Sequence, residues 1–216
     1  MPIDYTAAKE KLYAAVIADI LDEMGYREQV MAANIRPLRE DSLLVGRART
    51  ELVVPEFSVP DRPFAKQIEA TDALEPGDIM VAHMSQLTAC AFWGEFFSTG
   101  ARMRGAVGAV LDGYVRDVRR VNEMNFPVFA AGVRAPNSKG RATVAAYDVP
   151  IECGGVLVNT GDVLFAEADG VVVIPEKIAP EVLERAIEVA ERENRVRADL
   201  LAGSTMRAAW DKHRAM

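Results

Sequence analysis

Between residues 75 and 175 the chain repeats one alternation, a short apolar run followed by a polar segment of helical character and then another apolar run. The phrases "EPGDIMVA" at 75–82 and "NTGDVLFAEADGVVVIP" at 159–175 each set Gly-Asp in a tight turn ahead of an apolar strand. Between them "FFSTGARMRG" reads as a helix feeding the strand "AVGAVLDG", and "VRRVNEM" reads as a helix feeding "FPVFAAGV". Further strands are expected near 143–149 and 156–158. Helices and strands in this order are α/β units, so the fold class expected is α/β.

Helices are expected at both ends. Leu12, Val16, Ile20 and Met24 recur every four residues and Gly25 follows, which predicts one amphipathic helix over 6–24. The stretch "LLVGRARTELVV" alternates over Val45, Ala48 or Thr50, Leu52 and Val54, and the Pro-rich "VPEFSVPDRPF" after it reads as a surface loop. A last long helix, "EVLERAIEVAERENRVRADLLAG", precedes the C-terminus. No Pro/Gly/Ser-rich linker divides the 216 residues, half of which are hydrophobic, so one domain over 1–216 is expected, with a helical extension from about 178. A net charge of −7 does not suit phosphate contacts, and no nucleic-acid partner is expected. The N-terminus lacks a basic region followed by an apolar one, and no run approaches the roughly 18 apolar residues of a spanning helix. No membrane contact is expected, and the cytoplasm is the expected location. Cys90 and Cys153 lie far apart without paired-thiol spacing, and both are expected to be reduced and buried.

The chemistry is narrowed by what is missing. With only His83 and His213, a histidine-rich metal site or a relay built on a histidine pair is not expected. GxSxG, GxxxxGK[ST] and GxGxxG after a strand do not occur. None of the six lysines lies in an apolar strand, where desolvation would prepare it for imine chemistry. Carboxylates and guanidinium groups remain, and they suit a hard ion such as Mg²⁺ or Mn²⁺.

Three stretches carry such groups. In "GAVLDGYVRDV" the apolar run Gly108 to Leu111 breaks into Asp112, Gly113, Arg116 and Asp117, as a strand ending at a loop would, with Gly113 allowing the turn. Asp117 could ligate a metal, and Arg116 could fork onto a substrate carboxylate. A surface ion pair, or a cap on the helix starting near Val118, explains the same residues. In "CAFWGEFFSTGARMRG", Trp93-Gly94-Glu95 opens a helix whose free N–H groups favour an anion, while Phe92, Phe96 and Phe97 read as core rather than substrate wall. On the last helix Val182, Ala186, Val189, Glu193, Val196 and Leu200 form one stripe with a carboxylate inside it. Glu193 either meets another surface at a functional site or turns outward to water.

Taken together, "WGEFFSTGARMRGAVGAVLDGYVRD", "FPVFAAGV", "GDVLFAEADGVVVIP" and the terminal "LLAGSTMRAAWDKH" resemble the family of 4-hydroxy-4-methyl-2-oxoglutarate aldolases and the related regulator of ribonuclease activity A. The resemblance runs from about residue 12 to the end. It implies a three-layer β/β/α domain of the swivelling type, assembled as a homotrimer or a dimer of trimers. It also implies a class II pyruvate aldolase that uses Mg²⁺ or Mn²⁺ on a 2-oxo acid, with oxaloacetate decarboxylation as a side activity. By position, Asp117 matches the metal ligand and Arg116 the group that contacts the pyruvyl oxygens. Glu95 matches an acid that holds a water of the metal. Gly94 and the amides of Phe96 and Phe97 match the seat of the pyruvate carboxylate, and Glu193 a carboxylate supplied by the neighbouring subunit. The chain departs from the pattern in having Glu95 where a shorter Asp is usual, and in the loop 55–67. The regulator branch, which is noncatalytic, is implied to carry Gln in place of Asp117 and to lack most of the terminal helix, whereas this chain has both. A lyase or dehydratase for another 2-oxo sugar acid is the remaining alternative.

Overall fold

The computed structural model describes residues 5–84 and 89–214. The N-terminal face expected as one helix is two, α1 (Tyr5–Lys11) and α2 (Ala14–Glu23), separated where Tyr13 adopts extended backbone. The break exposes the N–H of Ala14, which donates to the Glu167 carboxylate at 2.6 Å, so a distant charge satisfies a helix-start donor. After the short β1 (Arg36–Pro37) comes β2 (Leu44–Pro55), the longest strand. The Pro-rich stretch ends in a helix that the sequence pattern did not reveal, α3 (Ala65–Asp72).

The alternation that follows is the one expected. It runs β3 (Asp78–His83), α4 (Glu95–Met103), β4 (Gly108–Val115), α5 (Val118–Glu123) and β5 (Val128–Val133). Next are β6 (Ala142–Tyr147), the hairpin strands β7 (Ile151–Cys153) and β8 (Val156–Val158), then β9 (Val163–Glu167) and β10 (Gly170–Ile174). The chain closes with α6 (Ala179–Leu201) and α7 (Met206–His213).

One eight-stranded sheet has the order β1-β5-β4-β3-β2-β9-β10, with β6 also on β2. Strands β2 to β5 run parallel to one another, whereas β1, β6, β9 and β10 join antiparallel. The two Gly-Asp phrases are the same turn used twice. Gly77 and Gly161 take positive φ, and Asp78 and Asp162 each accept the N–H three residues back at 2.8 Å. These turns deliver β3 and β9 to opposite edges of β2, where Arg47 faces both Asp78 and Val163. The buried Asp78 carboxylate also meets Arg47 at 3.0 Å and Arg49 at 3.5 Å.

The sheet is covered on both faces. Leu44, Ala48, Ile79, Val110 and Phe129 face the β7–β8 hairpin, where Cys153 is buried. On the other face α3, α4 and α5 pack over β3 to β5, while α1, α2 and α6 pack over β9 and β10. This is the three-layer β/β/α arrangement that the resemblance implies. The buried residues of α6 are Ala179, Val182, Leu183, Ala186, Ala190 and Val196, so Val182, Ala186 and Val196 of the expected stripe are buried, while Val189 and Glu193 lie at its half-buried flank. Among the described residues no helix is long and apolar enough to cross a membrane.

Among the described residues, one buried acid in the sheet is left without a partner. Glu51 of β2 lies between Ala82 of β3 and Tyr147 of β6, is fully buried, and neither carboxyl oxygen has a hydrogen-bond partner. Burial penalises the charged form and pushes this carboxyl well above the usual range. A raised native value means that its contribution to stability is fully present below the unfolded carboxyl range, about pH 4, and is lost as pH rises through the native value. Glu51→Gln should therefore gain stability relative to the native chain at pH 8 but little at pH 4, measured as urea midpoints at the two pH values.

Candidate active site

The end of β4 is built differently from the loop that its sequence suggests. The strand continues to Val115, with a register shift against β5 between Leu111 and Tyr114. Asp112 therefore lies inside the strand, where its carboxylate accepts the Met84 N–H and meets His83 Nδ1 at 3.2 Å. Only Arg116 and Asp117 share the loop. Gly113 is not a turn residue either. It is needed for space, because a Cβ there would stand 2.1 Å from Met84 Sδ and 2.8 Å from Met84 Cβ.

The segment ending in Gly94 runs alongside this strand end. Phe92 N–H donates to the Tyr114 carbonyl and Arg116 N–H to the Trp93 carbonyl, each at 3.0 Å, so the two motifs reach one corner in fixed register. Trp93 is buried and donates its indole N–H to Ser98 Oγ at 2.8 Å, while the buried Gln67 of α3 donates to the Phe92 carbonyl at 3.1 Å. Gln67 and Ser98 are positioning groups that the sequence reading missed. Their polar character looks like surface until the fold buries it.

At the corner, Gly94 precedes α4 and Asp117 precedes α5. Gly94 has extended backbone open to any residue, but a Cβ on it would come 2.6 Å from Asp117 Oδ2 and 3.1 Å from Arg116 Cγ. Glycine here is what lets the carboxylate approach the start of α4. Asp117 itself is held at φ 58°, a left-handed conformation that costs a non-glycine residue on the order of 1 kcal/mol. Strain of that kind persists where the surroundings impose it, and it clusters at functional sites.

The geometry also separates the simpler explanations of Arg116 and Asp117. The Asp117 side chain makes no capping bond to α5. Its Oδ2 instead accepts the Glu95 N–H of α4 at 3.3 Å and lies 3.4 Å from Arg116 Nε, with both side chains about one third exposed. No hydrogen bond to Oδ1 is found among the described residues. In the first turn of α4, helix bonding begins with Ser98 N–H to the Gly94 carbonyl, so the amides of Phe96 and Phe97 have no partner within the helix.

A cavity of about 460 Å³ opens at this corner. Gly94, Phe96, Phe97, Arg116 and Asp117 all line it, so five of the expected site residues converge. Phe92 is buried as expected, whereas Phe96 is 80% exposed and stands at the cavity as wall rather than core. Glu95 adjoins the corner through its backbone, and its side chain is not part of the lining. Glu193 does not line the cavity of its own chain, since α6 packs with α1, α2 and α7 over the other part of the sheet.

Comparison with known proteins follows this geometry. The RraA-like family model, described as Aldolase/RraA, matches residues 14–173. Protein DlpA of Legionella pneumophila is 29% identical over 200 residues, covering 93% of this chain and 32% of DlpA, so the chain spans about a third of that protein's length. A Halalkalibacterium halodurans protein named "Putative 4-hydroxy-4-methyl-2-oxoglutarate aldolase" is 32% identical over 184 residues, covering 85% of this chain and 82% of the other. The crystal structure of Streptomyces coelicolor RraAS2, described as an unusual member of the RNase ES inhibitor RraA protein family, superposes with a TM-score of 0.81 at 27% identity, over 90% of this chain and 96% of that one. The matched residues begin with α2, reach into β10 and include the whole corner of Gly94, Arg116 and Asp117, and the chain belongs to the Aldolase/RraA family.

Proposed function

We propose that this protein is a divalent-metal-dependent pyruvate aldolase that cleaves a 4-hydroxy-2-oxo acid, such as 4-hydroxy-4-methyl-2-oxoglutarate, to pyruvate and a carbonyl product. The observation that carries this reading is the corner itself, with strained Asp117 and Arg116 held across Gly94 from the first turn of α4 at the mouth of a cavity. The name of the Halalkalibacterium relative supports the same reaction class.

The donor chemistry fits a hard, hydrated ion. Asp117 offers one partly exposed carboxylate, and no group of three His, Cys, Asp or Glu side chains that could cage an ion occurs among the described residues. Mg²⁺ and Mn²⁺ suit such a site, because they are commonly held by one or two carboxylates and otherwise by water and substrate. Asp117 would hold the ion, which when bound supplies positive charge to the 2-oxo acid as the C3–C4 bond breaks.

The chain's own groups do the rest. The Arg116 guanidinium presents forked donors to the pyruvyl oxygens, a geometry that an ammonium lacks. The Phe96 and Phe97 amides receive the carboxylate at the helix start. The Glu95 carboxylate, which flanks the cavity without lining it in the single chain, is assigned with Glu193 from a neighbouring copy of the chain to order the water that takes the C4 hydroxyl proton and returns one to C3 of the pyruvate enolate. Loss of CO₂ from oxaloacetate leaves the same enolate, so decarboxylation is a side activity needing no further residue. The working unit in this reading is a homotrimer or a dimer of trimers, as the family resemblance implies, in which every copy gives and receives one Glu193, and the distance of Glu193 from its own cavity supports such an exchange. The likeness to RraAS2 favours one other reading, a noncatalytic modulator of a partner enzyme.

Pyruvate release, followed through lactate dehydrogenase, decides between the two. With Mg²⁺ or Mn²⁺ present, 4-hydroxy-2-oxo acids and oxaloacetate should yield pyruvate, chelator should abolish the release, and added metal should restore it. Full turnover in excess chelator after confirmed metal removal rejects the metal, and no release from any substrate favours the modulator.

The two corner residues should separate by assay. Asp117→Asn should lose metal affinity and about 100-fold or more in kcat while keeping its circular dichroism spectrum. Arg116→Lys should still bind metal in calorimetry yet lose most activity.

The shared site is tested by mixing. Asp117→Asn and Glu193→Gln, each inactive alone, should recover part of the activity once subunits exchange, because some mixed sites then hold both native carboxylates. Demonstrated exchange with no recovery places Glu193 outside the reaction.

A further inference from the structure

The cavity at the corner exceeds what a pyruvyl group needs, and its two ends differ in chemistry. At about 460 Å³ it falls within the range of sites for larger organic ligands. One end is the polar corner. Away from it the wall is largely apolar, with Phe64 and Ile68 at α3 and the rings of Trp93 and Phe97. Phe97 lies 6.3 Å edge-on from Phe64 and is backed by the buried Trp93 ring at 5.8 Å, so the aromatic wall is firmly supported.

Charge sharpens the contrast. Arg116 is the one positively charged residue lining this cavity among the described residues, and the proposed reaction commits it to the pyruvyl half. The charged residue in the wall beyond the corner is Asp72, an acid that meets Arg104 at 3.3 Å. A second substrate carboxylate placed there would lose water, meet no cation of the same chain and face a like charge, with only the neutral groups of Thr71, Asn137 and Ser138 to receive it. An alkyl or aryl group placed there would leave water for aromatic contact, which is favourable.

A second hollow of about 340 Å³ lies on the other side of Arg116 and Asp117 and includes Arg134, whose guanidinium sits 5.9 Å over the Tyr114 ring. Helix α4, whose amides are proposed to seat the pyruvyl carboxylate, lines the aromatic cavity and contributes no residue to this hollow.

We propose that within this reaction class the preferred substrate carries an apolar alkyl or aryl group at C4 instead of a second carboxylate, so that the carbonyl product is an apolar aldehyde or ketone and the dicarboxylate 4-hydroxy-4-methyl-2-oxoglutarate is the weaker substrate. The inference rests on the aldolase reading for the placement of the pyruvyl half.

The test uses 2-oxo acids that lack a C4 hydroxyl and so bind without cleavage. Pyruvate, 2-oxoglutarate and 2-oxo-4-phenylbutanoate are titrated into the protein by calorimetry, with and without Mg²⁺. The phenyl acid should bind roughly tenfold or more tightly than 2-oxoglutarate, the order of factor expected for taking an aryl group out of water. Ile68 is half exposed on α3, so Ile68→Arg should fold and shift the preference toward 2-oxoglutarate. Tighter binding of 2-oxoglutarate to the native protein, lost in Arg134→Gln, overturns the inference and places the C4 group in the second hollow. Equal binding of all three acids also overturns it. Pyruvate release from the dicarboxylic substrate without binding of the phenyl acid rejects the apolar preference and leaves the aldolase reading standing. If no 2-oxo acid binds, both fail.

Discussion

Main-chain pairing along β2 holds the molecule in one register. Residues 47–52 pair with β3 on one edge, while the opposite edge is divided between β9 at 44–47 and β6 at 51–55. A slip by one residue would turn Leu44 and Ala48 out of the hairpin-facing layer and Val45 and Val53 into it. The twin Gly-Asp turns oppose such a slip, since both end at the level of Arg47 and both bury a carboxylate that is bonded within its own turn. With β3 fixed on β2, β4 is fixed on β3. The position of Arg116 and Asp117 thus follows from pairing that begins two strands away.

The corner illustrates how backbone geometry can select side chains. Gly94 is conformationally ordinary, and what excludes a larger residue is the carboxylate opposite. Asp117 is conformationally unusual, and what keeps it there is its place between β4 and α5, reinforced by contacts to Glu95 N–H and Arg116. Each residue accounts for the other. Neither is explained by the stability of its own helix.

Much of this was legible from residue patterns. The helix–strand units and both Gly-Asp turns depend on local periodicity and turn chemistry, which act over a few residues, whereas the convergence of "WGEFF" with "VRD" was legible only through the family resemblance. What escaped depends on partners far along the chain. The apolar period of α1 and α2 runs through Leu12 and Val16 without a gap, and the break at Tyr13 is accompanied by Glu167 accepting the Ala14 N–H. Helix α3 carries Gln67 and Thr71 on its buried side, which conceals its inward face from a search for apolar spacing. Asp112 looked like a loop residue because an acid rarely sits in a buried strand, yet His83 and the Met84 amide receive it there. The α6 stripe was read correctly at Val182, Ala186 and Val196 but missed Ala190, which packs more deeply than the larger Val189.

The attachment of α7 has a dynamic consequence. It returns onto the end of α6 through Val196 and Ala209, with Leu200 beside them, and through Asp199, which takes both Lys212 and His213 at 2.7 Å. That contact is small, mostly exposed, and separate from the three larger clusters of the core. Amide hydrogens in α7 and the last turns of α6 should therefore exchange through a subglobal opening that leaves the sheet intact. Glu193 lies at the boundary between the firmly packed first half of α6 and this loosely held clasp, so its orientation depends on a unit that can open apart from the sheet.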